Sequence, residues 1–156
     1  VFAYFEKMEI EGIKPDQIVF LSLLIACTHD GHLDQAQAYF ETMVKEYSII
    51  PVIDHFNCIV DLLGRAGQVI CAIRLLAKLP IEPDLVTWNT ILSSCCRWGD
   101  VDLARHAFDC VLKLDQGHVG AYILMANVYM DAHMWENAKT IEIMGGLNTA
   151  HMFLDI

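Results

Sequence analysis

Four columns of residues recur through this chain at one uneven spacing. Prolines fall at 15, 51 and 83 and glycines at 31, 67 and 99, both series stepping by 36 and then 32. The aromatics Phe20, Phe56, Trp88 and Tyr122 step by 36, 32 and 34, and Ala36, Ala72, Ala104 and Ala138 keep the same three intervals. Independent columns do not share an irregular period by chance, so the chain is an array of repeated units of about 34 residues.

The stretch from Asn57 to Pro80 shows what one unit is. Ile59, Leu62 and Leu63 recur at helical spacing, Gly64-Arg65-Ala66-Gly67 interrupts, and Val69, Ala72, Ile73, Leu76 and Leu79 resume the pattern up to Pro80. Two amphipathic helices joined by so short a glycine turn pack as an antiparallel pair. One pair cannot bury both its faces, and the flanking repeats supply the partners. Each column has a physical reason: glycine permits positive φ at the turn, alanine lets helices approach, and the aromatics fill the seam between them. The expected fold is all-α, an α-solenoid of antiparallel helix–turn–helix repeats.

In chain order, residues 2–11 form the second helix of a broken pair ending at Gly12. Asp16 is placed to cap a helix from Ile18 to Thr28, Gly31 makes the turn, and a helix from Leu33 to about Tyr47 follows, closed by Pro51. The next pair covers 53–80. A third runs from Val86 to Arg97 and, after Gly99-Asp100, from Val101 to Leu114. The fourth spans His118 to Met130 and Trp135 to Met144, where Gly145-Gly146 stops it.

Composition narrows the function. With 55% hydrophobic and 19% charged residues the chain is too apolar for disorder, yet its longest apolar run, Ile18 to Cys27, falls far short of the roughly 20 residues of a membrane span. Twenty acidic against ten basic residues give a formal charge of −10, which argues against a sequence-blind nucleic-acid binder. The six cysteines form no C-x-x-C, lie in predicted helices among apolar neighbours, and read as reduced core thiols; Cys27 and Cys95 share one repeat position. No H-E-x-x-H, H-x-E or P-C-x-x-C occurs, and no acid–base pair, nucleophile constellation or phosphate loop stands out. The expectation is a protein without catalytic residues, metal, cofactor or small-molecule substrate. Val1 falls inside a helical pattern, so the chain reads as a fragment whose targeting segment lies upstream.

The segments GIKPDQIVFLSLLIACTHDGHLDQAQAYFETM, HFNCIVDLLGRAGQ and EPDLVTWNTILSSCCRWGDVDLA resemble the plant pentatricopeptide repeat family, which has the same PD–hydrophobic–aromatic joint and turn glycine. The W-x-x-L-G-x-x-Y pattern of tetratricopeptide repeats is absent. A 36-residue unit (17–52) followed by a 32-residue unit (53–84) resembles the subclass with long and short repeats. Residues 85–118 and 119–144 resemble its two extension motifs, most clearly in GAYILMANVYMDAHMWENAK. The resemblance thus divides the chain into repeats over 1–84, the first partial, extension motifs over 85–144, and an irregular tail over 145–156.

The resemblance implies a right-handed superhelix that reads single-stranded RNA one base per repeat. The reading pair would be the residue after the aromatic and the last residue of the repeat. In 53–84 that pair is Asn57 and Asp84, which implies a pyrimidine, uracil by preference; Asp84 is also placed to cap the next helix. In 85–118 it is Asn89 and His118, which match no strong code. In 17–52 Leu21 and Val52 cannot discriminate by hydrogen bonding. His29, Arg65 and Arg97 share a position at the end of each first helix, where they would meet successive phosphates or offset the helix macrodipole. By resemblance the chain is the C-terminal part of a mitochondrial or chloroplast specificity factor, adapting bound RNA to the proteins of a processing complex, most often for C-to-U editing. The alternative is a structural helical-repeat subunit of an organellar assembly such as a mitochondrial ribosome. Neither reading places it in a membrane.

Overall fold

The computed structural model describes residues 1–146, so most of the expected tail lies outside the described residues. Among these, all regular structure is helical. The chain divides into two compact units, Val1–Glu82 and one beginning at Pro83. The first contains α1 (Phe2–Ile10), α2 (Gln17–Asp30), α3 (Leu33–Lys45), α4 (Ile53–Arg65) and α5 (Val69–Ala77). The second contains α6 (Leu85–Trp98), α7 (Val101–Leu114), α8 (Val119–Asp131) and α9 (Trp135–Met144).

Within the first unit α2 pairs with α3 and α4 with α5, while α2 lies beside α4. Within the second, α6 pairs with α7 and α8 with α9, and α6 lies beside α8. Each unit is therefore a stack of helix pairs with the first helices in one layer and the second helices in another, the arrangement the period requires.

Helix starts are written in the sequence. Asp16 Oδ1 accepts the Val19 N–H at 2.9 Å, and Asp100 Oδ1 accepts the Leu103 N–H at 3.0 Å. Asp84 and Thr87 make a reciprocal box: Asp84 Oδ1 accepts the Thr87 N–H at 2.9 Å, and Thr87 Oγ1 accepts the Asp84 N–H at 3.2 Å. Helix ends follow the glycine column. Gly31, Gly67 and Gly99 stand at φ 72°, 75° and 75°, in the left-handed region. The next residue then closes the turn, as when His32 N–H donates to Cys27 O at 2.9 Å and Gln68 N–H to Leu63 O at 2.8 Å. The fourth turn keeps this geometry without a glycine: His133 sits at φ 58°, and Met134 N–H donates to Tyr129 O at 2.8 Å.

The aromatic column forms the seam, with one exception. Phe20, Phe56 and Tyr122 are buried, whereas Trp88 is only half-buried, its ring edge-on to His106 at 5.5 Å. Phe56 meets Phe40 at 5.2 Å, and Tyr122 meets Phe108 at 5.3 Å; Phe40 and Phe108 hold equivalent positions on the preceding second helix. All four alanines of the second column are sealed in. The cysteines need a correction. Cys27 and Cys95 are buried, but Cys58, Cys96 and Cys110 are half-buried and Cys71 is exposed, because α5 turns Val69, Ala72 and Leu76 inward and leaves Cys71 on its far side. None of the described cysteines is in a disulfide.

Candidate nucleic-acid interface

The last residue of each repeat proves to be the N-cap of the next first helix: Asp16 for α2, Val52 for α4, Asp84 for α6 and His118 for α8. His118 caps with its ring, Nδ1 accepting the Ala121 N–H at 3.1 Å. Val52 has no acceptor to offer. The buried His55 repairs that end instead: its Nδ1 accepts the Val52 N–H at 3.1 Å, which leaves Nε2 protonated to donate to Gln17 O at 3.1 Å. Gln17 Nε2 in turn donates to Ile50 O at 2.9 Å, so the starts of α2 and α4 are tied together. Sequence reasoning missed His55, although a histidine three residues after an apolar cap position was a signal that could have found it.

Leu21, Asn57 and Asn89 follow the aromatics on α2, α4 and α6, and all three are half-buried. Asn57 already has a partner within the protein, as does Asp84 beyond its cap. Asn89 differs: its Oδ1 is shielded from solvent with no hydrogen-bond donor in reach. Within the second unit, Asn89 in the second turn of α6 and His118 at the start of α8 belong to neighbouring first helices.

The basic column lies at the other end of those helices. Arg65 is committed in two directions: Nη2 and Nε meet the Asp61 carboxylate at 2.9 and 3.2 Å, and Nη1 donates to Thr28 O at 3.2 Å. It thereby satisfies a terminal carbonyl of α2 and opposes that helix's dipole. His29 and Arg97 are exposed and have no ion pair among the described residues. The next position in the column is Asp131, so the sign reverses at α8.

The buried thiols, Cys27 and Cys95, are packing groups. Burial, reinforced by the charge of Asp100, pushes the Cys95 thiol up to about 12, far from nucleophilic use. Among the described residues, no group of three His, Cys, Asp or Glu side chains could hold a metal ion, and no helix is long and apolar enough to cross a membrane.

Family models cover most of this framework. A pentatricopeptide repeat domain model matches residues 4–66, a PPR repeat model 79–110, and an E motif model 98–144. The chain belongs to the pentatricopeptide repeat family. Its E motif runs from the end of α6 through α9. Among relatives from Arabidopsis thaliana, the pentatricopeptide repeat-containing protein At3g29230 is 39% identical over 88% of this chain and 23% of its own length. DOT4, chloroplastic, is 40% identical over 89% of this chain and 16% of its own, and At2g03880, mitochondrial, 39% over 88% and 22%. The chain thus spans about a fifth of these relatives' length. The crystal structure of pentatricopeptide repeat protein PPR10 from maize superposes with a TM-score of 0.80 at 21% identity, over 95% of this chain and 22% of that one. PPR10 in complex with an 18-nt psaJ RNA element gives 0.76 at 22% identity, over 92% and 22%. At such identity the likeness concerns the fold, an all-α helical-repeat solenoid.

Proposed function

We propose that this chain is the C-terminal part of an organellar RNA-binding pentatricopeptide repeat protein that directs RNA processing, C-to-U editing above all. The observation that carries the reading is the succession, in one chain, of pentatricopeptide repeat matches and an E motif. Relatives named chloroplastic and mitochondrial support the compartment, and PPR10 supports RNA as the ligand. In this reading residues 1–84 hold RNA, and 85–144 both add contacts to the strand through Asn89, Arg97 and His118 and recruit the proteins that act on it, without catalytic chemistry of their own.

Asn57 reads a base in the 53–84 repeat, and Asn89 with His118 reads a second, less selectively. His118 keeps its capping bond through Nδ1 and has Nε2 left to offer. Arg97, His29 and Arg65 contact phosphates, Arg65 by exchanging Asp61 for the strand. A gel shift with a uracil-bearing single strand against its purine variant tests the reading. Preferential binding of the uracil strand supports it. Equal weak binding to both favours the structural-subunit alternative, which the charge of −10 suits.

A further inference from the structure

The same inter-repeat position is occupied differently in the two units. In the first, a groove of about 500 Å³ opens between α3 and α5 over α4, floored by Phe40, Ile59, Leu63 and Leu75. In the second, the equivalent space lies between α7 and α9 over α8 and measures about 170 Å³. There Arg105 stands where the first unit has Gln37, and Tyr129 where it has Leu63; Arg105 Nη1 donates to Tyr129 Oη at 2.8 Å and bridges the gap. The repeat architecture therefore does not dictate an open groove. The first unit leaves it open through its own side chains.

The rim has a sign. Its carboxylate, Glu41, is taken up by Lys45 at 2.7 Å, and that hydrogen bond holds Glu41 below the usual carboxylate range. Arg74 and Lys78, one turn apart along α5, have no ion pair among the described residues. In a chain of charge −10, this groove presents free positive charge beside an apolar floor.

From this complementarity we infer that the groove docks an acidic amphipathic helix of a partner protein, with leucine- or phenylalanine-type side chains on the floor and carboxylates against Arg74 and Lys78. A nucleic-acid strand fits less well, since the floor is aliphatic apart from Phe40 and offers no row of stacking planes. The inference does not depend on the RNA reading, and it lies outside the E motif.

Cys71 supplies the test, because it is exposed at the edge of the groove. The whole chain is treated with a maleimide, and modification of each cysteine is followed by mass spectrometry. The probe is a leucine–glutamate helical peptide of about 14 residues, roughly 21 Å long, compared with a twin carrying lysine for glutamate. The acidic peptide should slow modification of Cys71 and leave Cys110 unchanged, while the basic twin should do neither. Arg74→Gln with Lys78→Gln should weaken the acidic peptide by about tenfold, the scale of close interfacial charge pairs. Gln37→Arg with Leu63→Tyr, which imports the bridge of the second unit, should remove protection. Leu63 is buried, so the two surface substitutions decide the matter even where that double variant does not fold. Equal protection by both peptides, no protection by the acidic one, or protection by oligouridine that depends on Arg74 and Lys78 would each overturn the proposal.

Discussion

The backbone N–H of Val52 donates to Nδ1 of His55 at 3.1 Å, so a buried ring holds the place that Thr87 Oγ1 holds at the start of α6, where it accepts the Asp84 N–H. His55→Ala would strip partners from both Val52 N–H and Gln17 O, at a cost of roughly 1–3 kcal/mol for the groups left unpaired. Adding Val52→Asp should return roughly 0.5–2 kcal/mol through an ordinary cap. Urea denaturation of the single and double variants measures both steps. A His55→Ala variant as stable as wild type would show that these two bonds carry no stability, and a double variant no more stable than it would show that the start of α4 gains nothing from a carboxylate cap.

The left-handed turns make opposite predictions for two residues. Gly67 stands at φ 75°, so Gly67→Val should destabilise by about 1 kcal/mol or more, whereas His133, at φ 58°, should gain about 1 kcal/mol on becoming glycine. Thermal melts of the two variants should move in opposite directions. A stabilising Gly67→Val would contradict the turn geometry.

Gly145 ends α9 against an aromatic ring. A Cβ built there would lie 2.8 Å from Tyr122 Cβ and Cγ, too close to accommodate without moving the ring or the helix. Gly145→Ala should therefore cost roughly 1–3 kcal/mol by overpacking, although its φ of −77° carries no strain. A melting temperature equal to wild type would mean that α9 does not pack on Tyr122 this closely.

Cys95 gives a pH signature. Below the ordinary thiol value of 9.0 the group is neutral whether the chain is folded or unfolded; above it, the unfolded thiol ionises while the folded one holds its proton up to about 12. Its contribution to stability is thus complete below about pH 9 and falls between there and about 12, by at most about 1.4 kcal/mol per pH unit. The stability gap between wild type and Cys95→Ala, measured by urea denaturation, should narrow as pH rises through that window. A gap independent of pH would place Cys95 in contact with solvent.

Much of the fold was legible because each device has its own residue type. Asp16 and Asp84 mark helix starts, Gly31, Gly67 and Gly99 mark ends, and the alanines mark close approach. The fourth turn was legible in its place, between Met130 and Trp135, but not in its conformation, since nothing in the sequence marks a histidine held at positive φ by its surroundings. Cys71 was misjudged because apolar neighbours along a helix do not say which face they share. Of the candidate interface, the capping role of Asp84 could be read and is observed. The commitment of Arg65 to Asp61 and Thr28 could not, because Thr28 lies 37 residues away in sequence.

Base reading by the 53–84 repeat, as proposed, rests on Asn57 of α4. Fluorescence anisotropy with short single strands, differing at one position, compares wild type with Asn57→Leu, which copies the apolar choice at Leu21. Asn57→Leu should bind the uracil strand more weakly and flatten the preference at that position, on the scale of roughly 1–3 kcal/mol borrowed from base contacts in DNA. Arg65→Gln should instead weaken all strands alike and lower the salt dependence. Affinity and base preference both unchanged in Asn57→Leu would mean that Asn57 meets no base and that this repeat is scaffold.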